Sequence, residues 1–134
     1  GPLDELVKGW GGADYISYDI DGRFGSVPVD LNTEQVQSEK MNTASIVFNL
    51  GTSEHVFSQE NVWRFIIDHT KDGGFIYSVL PYSDYIDHGF FSYSPTFFWS
   101  IAHYNNMLVR YIGLSPNKHK NLLIDLNLKT VSTL

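Results

Sequence analysis

The sequence predicts an α/β domain: a mostly parallel sheet with helices on both faces and an antiparallel strand pair at its C-terminal end. Three observations carry this. Helical and strand patterns alternate along the chain, which is the signature of a layered α/β sheet. Residues 44–50 and 75–80 are nearly continuous apolar runs, as expected of strands covered on both sides. The last two strand segments are joined by Ser115-Pro116-Asn117-Lys118, a connection too short for a parallel crossover. At 134 residues and 15.2 kDa, a single domain over residues 3–134 is expected. Such a chain buries roughly two thirds of its unfolded surface, so it needs no covalent staples. Gly1-Pro2 reads as the scar of a protease-cleaved expression tag.

The elements follow in order. Leu3, Leu6, Val7 and Trp10 have helical spacing, and Gly11-Gly12 stops that helix. Residues 15–20 are a short β-rich run ended by Asp21-Gly22. Val27 to Val29 is a second short strand, confined to an edge by Pro28. Residues 33–41 are polar and read as a weak helix or loop. After the strand at 44–50, Ser58 caps a helix with Glu60 in its first turn and Val62, Phe65 and Ile66 as its buried stripe. Lys71 falls in its last turn, and Asp72-Gly73-Gly74 supplies a left-handed stop. A strand over 75–80 closes at Pro81, and residues 82–93 form a loop over the end of the sheet. Ser94-Pro95 opens a third helix, since proline loses nothing at the first helical position. Strands at 107–114 and 122–128 complete the chain.

Composition excludes several functions. The absence of cysteine removes a disulfide framework, a zinc ribbon and a thiol nucleophile. A net charge of −6 argues against duplex nucleic acid and anionic membrane as partners. There is no run of about eighteen apolar residues and no signal-peptide pattern, so a cytoplasmic protein is expected. Aromatic residues make up 15% and crowd between Phe75 and Tyr111, suited to a large core or to a pocket for a flat organic ligand.

Residues 44–80, with Gly51-Thr52-Ser53-Glu54-His55-Val56 and Gly73-Gly74-Phe75-Ile76-Tyr77-Ser78-Val79-Leu80-Pro81, resemble class I S-adenosylmethionine (SAM)-dependent methyltransferases. In that family the fourth strand runs into an "(S/L)-E-H-V" turn, and a helix, "K-x-G-G" and a fifth strand ending in "V-P" follow. His88-Gly89-Phe90-Phe91 and Ser94-Pro95-Thr96-Phe97-Phe98 resemble the family's "H-x-R-F-F-(S/T)-P-x-x-L" stretch, and Tyr18-Asp19-Ile20-Asp21 its second-strand "V-D-I-S". The resemblance covers nearly all of residues 13–114 and implies a Rossmann-like fold with SAM as cofactor. One feature departs from it. The family's glycine-rich G-x-G loop lies about twenty residues before the second-strand acid, whereas here about sixteen residues after the Gly1-Pro2 scar precede Asp19 and Gly9-Trp10-Gly11-Gly12 abuts the strand. The first strand and its loop are therefore expected to lie outside this N-terminally truncated chain. A missing N-terminal segment or a second copy would then complete the sheet, because an unpaired edge seeks a partner.

The resemblance implies that Asp19 takes the ribose hydroxyls and Asp30 the adenine amino group. Asn49 and Gly51 would lie at the carboxyl end of the central strand, where ligands bind in open α/β sheets. Leu50 and Ile20 are then expected to finish neighbouring strands whose tips cup the adenosyl group. Each position also has a plain structural reading: Asp19 and Asp30 as turn or cap residues, and Gly51 as a strand-ending glycine. His55 and His88 are candidate general bases, since imidazole suits removal of a proton from a hydroxyl acceptor. Glu54 orients a base or caps the following helix. Asp84 and Asp87 read as solvated loop charges, His69 as helix packing, and His103 and His119 as surface residues. A metal site from Glu54, His55, Asp87 and His88 is conceivable in composition, but no ligand pair has a diagnostic spacing and no metal is expected. The cluster Phe90, Phe91, Tyr93, Phe97, Phe98 and Trp99 is equally a core or the wall of an acceptor pocket.

The function expected from this reading is methyl transfer from SAM to an oxygen or nitrogen of a small molecule. The alternative is a noncatalytic, methyltransferase-like binding or assembly module that does not bind SAM.

Overall fold

The computed structural model describes residues 2–12, 14–115 and 120–128. They form an α/β arrangement of three α-helices, a four-stranded mixed sheet and a separate two-stranded sheet. In chain order the elements are α1 (Pro2–Gly9), β1 (Tyr18–Asp19), β2 (Val27–Pro28), β3 (Ala44–Leu50), α2 (Gln59–His69), β4 (Thr70–Ser83), α3 (Pro95–Tyr104), β5 (Met107–Leu114) and β6 (Lys120–Leu128). The main sheet has the order β3-β4-β6-β5. β3 and β4 pair in parallel through the α2 crossover, while β6 is antiparallel to both β4 and β5. By its pairings the sheet is mixed rather than mostly parallel.

The end of α1 and the start of α3 have local causes. α1 carries an Asp4–Lys8 pair one turn apart (2.9 Å) and ends where Gly11 enters the left-handed region (φ +79°) and the Gly12 amide donates back to the Val7 carbonyl. α3 starts on Pro95 with Ser94 as its extended N-cap, as the sequence predicts. α2 departs from expectation at its C-terminus. It stops at His69 rather than at the glycines, because Thr70 is already extended and pairs with Ala44. Gly73 (φ +75°) therefore lies inside β4, where the register slips between Ala44 and Ile46.

The core lies on one face of the main sheet. Ile76, Leu80, Leu122, Ile124 and Leu126 alternate inward along β4 and β6, and Val62, Trp63 and Ile66 of α2 pack there with Phe98 and Ala102 of α3. The Trp63 ring lies 5.6 Å from Phe97 and 5.7 Å from Phe98, so α2 and α3 share that face. Among the described residues α2 and α3 cover the same face of the sheet, not opposite faces as the sequence suggests. β3 is an edge strand, and Ile46, Phe48 and Leu50 point to the open side, with Leu50 52% exposed. A continuous apolar run reads alike whether its second face is covered or open, and this accounts for the difference.

Residues 18–34 run along α2. Among the described residues β1 pairs only with β2. The Tyr18 ring packs edge-on against Phe65, and its hydroxyl lies 2.8 Å from His69 Nε2, at the C-terminal end of α2. Farther along, the Ser58 amide donates to Asn32 Oδ1, and Asn61 Nδ2 donates to the Leu31 and Glu34 carbonyls. The Thr43 amide donates to the His69 carbonyl, which places β1 beside the beginning of β3. Leu50 ends at the other end of that strand, so the tips of β1 and β3 do not lie side by side.

Candidate active site at the carboxyl end of the parallel pair

The polypeptide leaving β3 makes a sharp turn. Gly51 takes φ +73°, and residues Ser53–His55 form a single 3₁₀ turn before α2. Side chains fix that turn. Asn49, buried at the end of β3, donates from Nδ2 to Ser53 Oγ (2.9 Å) and accepts the Ser53 amide at Oδ1 (3.2 Å). Gln59 Nε2 donates to the carbonyls of Ser53 and Val56. The Tyr93 hydroxyl lies 2.7 Å from Gln59 Oε1 and 2.9 Å from Ser53 Oγ, joining the loop before α3 to the same turn.

This network sets Glu54 in place, only 1% exposed. Its Oε1 lies 3.6 Å from His88 Nε2 and 3.9 Å from His55 Nε2, within ion-pair range and beyond hydrogen-bond length. Its Oε2 is buried and has no hydrogen-bond partner among the described residues. Among the described residues no lysine or arginine pairs with this carboxylate. The two imidazoles are about half exposed and meet edge-on, with ring centres 4.9 Å apart. The Tyr85 ring also packs against His88, with centres 5.1 Å apart. The loop carrying His88 is held against Glu54 by its backbone: the Phe90 and Phe91 amides donate to the Glu54 carbonyl at 2.8 and 3.3 Å. Gly89 permits this approach, because a Cβ there would stand 2.9 Å from that carbonyl oxygen.

The fold thus brings together Glu54, His55 and His88, with Gly51 beside them; a Cβ on Gly51 would lie 3.3 Å from Glu54 Oε1. It does not bring Asp19 there. Asp19 is exposed on β1 and accepts the Asp21 amide in a local turn. Asp30 accepts the Asn32 amide and side chain, a turn role, and the Asn49 side chain is committed to Ser53. Asp84 and Asp87 are exposed in the loop. His69 packs beneath β1 with Nδ1 donating to the Phe65 carbonyl, and His103 is exposed, both as the sequence suggests. His119 lies outside the described residues. The aromatic cluster divides. Tyr93 and Phe98 are buried against Trp63, whereas Phe90 and Trp99 are exposed, and Phe90 meets exposed Phe57 edge-on at 5.9 Å. Ser53 and Gln59 enter the site through nearby partners, Asn49 and Val56, whereas Tyr93 and Gly89 enter it through partners far along the chain, which no spacing signals. An open groove of about 370 Å³ between α2 and α3 includes Trp63, Arg64, Phe97 and Ile101, but none of the Glu54, His55 and His88 group.

Burial pushes the Tyr93 hydroxyl above its ordinary pKa of 10.0, opposed by the hydrogen bond with Ser53 and reinforced by the Glu54 charge. The folded state therefore holds this proton more tightly than the unfolded chain. Stability is fully present below pH 10 and falls as pH rises from there through the folded value. A thermal-unfolding series should show that decline, and Tyr93→Phe should remove part of it while costing about 1 kcal/mol at neutral pH for the lost hydrogen bonds. An unchanged alkaline profile in the variant would contradict the burial of this hydroxyl.

No family model matches the chain, and no curated protein matches it either. Among the described residues no helix is long and apolar enough to cross a membrane.

Proposed function

We propose that this chain is a Rossmann-like, SAM-dependent methyltransferase domain acting on an oxygen or nitrogen of a small molecule. The observation that carries the reading is the convergence of Glu54, His55 and His88 at the carboxyl end of a parallel strand pair, the side on which α/β sheets bind ligands. The residues present fit an adenosyl group only in part. Gly51 turns beside the site, while the carboxylate expected on the ribose, Asp19, stands at the other end of β3. When bound, SAM supplies an electrophilic methyl on a sulfonium. This chain's residues contribute position and proton removal. His55 or His88 accepts the acceptor's proton, and the buried Glu54 carboxylate stands 3.6–3.9 Å from both Nε2 atoms and orients them. The exposed Phe57 and Phe90 rings, next to His55 and His88 in sequence, suit a flat apolar acceptor.

The placement of Asp19 favours a second reading, a methyltransferase-like module that does not bind SAM. Calorimetric titration of the chain with SAM and with S-adenosylhomocysteine separates the two. Saturable one-to-one binding of both is the expected result. No heat and no thermal shift at millimolar ligand would overturn the enzymatic reading and leave the binding module.

A further inference from the structure

We infer that Glu54, His55 and His88 form a binding site for a divalent transition-metal ion of the zinc class. One ligand atom from each lies within 4.8 Å of the other two. Tetrahedral zinc, with bonds of about 2.0–2.2 Å, places its ligand atoms about 3.3–3.6 Å apart. The observed 3.6 and 3.9 Å from Glu54 Oε1 to the two Nε2 atoms lie at or a few tenths of an ångström beyond that, and the imidazole nitrogens, within 4.8 Å of each other, would draw together by rotation of the two exposed rings on binding.

A second observation points the same way. Glu54 is a fully buried carboxylate with one oxygen lacking any hydrogen bond and no lysine or arginine beside it among the described residues. An isolated buried carboxylate is strongly unfavourable, and a bound cation is one of the few arrangements that offsets it. The donor set selects the class. Two imidazoles and one carboxylate suit zinc and its neighbours, whereas magnesium and calcium prefer all-oxygen sites. Three protein ligands with both histidines open to solvent leave a coordination position free, the pattern of a catalytic rather than a structural zinc site. A hydroxyl bound at that position would be made more acidic by the ion acting as a Lewis acid and would lose its proton to solvent, so the two imidazoles, engaged as ligands, would not be needed as the base.

The inference needs no SAM and is tested without it. The metal-stripped chain is titrated with Zn²⁺ by calorimetry and thermal shift, in parallel with His55→Ala, His88→Ala and His103→Ala. All three positions are exposed, so the variants are expected to fold. One Zn²⁺ per chain, a raised melting temperature, and an affinity reduced by at least about 10–100-fold in both His55→Ala and His88→Ala but not in His103→Ala are expected. Mg²⁺ at equal concentration should not compete. No binding at millimolar Zn²⁺, retained affinity in either site variant, or displacement by Mg²⁺ would overturn the proposal and leave the methyltransferase reading untouched.

Discussion

Phe98→Ala is expected to destabilise the protein by about 3–5 kcal/mol, the usual cost of truncating a fully buried phenylalanine. Phe98 has no solvent exposure. Its ring sits 5.7 Å from Trp63, 5.7 Å from Tyr93 and 5.3 Å from Phe97, at the point where α3, α2 and the loop before α3 meet over the sheet. α3 is only ten residues long, and Phe98 and Ala102 are its buried residues. Removing the ring opens a cavity in the single core layer, and nothing opposite can collapse into it cheaply. Because domains of this kind are stable by only about 5–15 kcal/mol, the urea midpoint should fall by about a fifth or more. Trp99→Ala, one residue along but exposed, should change stability by about 0.5 kcal/mol or less. Equal effects of the two substitutions would contradict the assignment of the buried face of α3.

Gly89→Ala is expected to disassemble the candidate site while the sheet survives. The added methyl would meet the Glu54 carbonyl oxygen at 2.9 Å and its Cγ at 3.2 Å, and the carbonyl belongs to backbone held by the Asn49, Ser53 and Gln59 network. The 88–91 loop is the softer partner and must move, lengthening the Phe90 and Phe91 hydrogen bonds to Glu54 and drawing His88 away from Oε1. Overpacking of this kind costs about 1–3 kcal/mol. The circular dichroism spectrum should therefore keep its native form with a modestly lowered melting temperature. In a two-dimensional NMR spectrum the His88 and Phe90 signals should shift most, and those of β5 and β6 least. A variant indistinguishable from the parent around His88 would show that the loop does not press on Glu54.

Much of the fold is legible in the sequence where local chemistry decides it. Ser94-Pro95 sets the start of α3, Gly11-Gly12 ends α1, and the apolar runs at 44–50 and 107–114 become β3 and β5 with those bounds. The failures share a cause: each depends on a partner distant in the chain. Residues 44–50 carry no mark that says whether both faces are covered, and the fold leaves one open. The glycines after Lys71 resemble a helix stop, but pairing of Thr70 with Ala44 begins the strand first. Asp19 sits on a β-rich run, yet two hydrogen-bonded residues make too short a strand to join the main sheet, and Tyr18 anchors it on His69 instead. At the site, Glu54, His55 and His88 are visible as separate candidates. Their convergence on one carboxylate oxygen is not, because it depends on a 33-residue excursion through α2 and β4 that closes at Gly89.

The arrangement of those three side chains is measured most directly by nuclear Overhauser contacts between assigned imidazole protons. With ring centres 4.9 Å apart, the His55 and His88 rings should show mutual cross-peaks, and His88 should show them with Tyr85 as well. Cross-peaks from His88 to Tyr85 without any to His55 would mean that the loop does not close over the end of the parallel pair, and the site described would not exist.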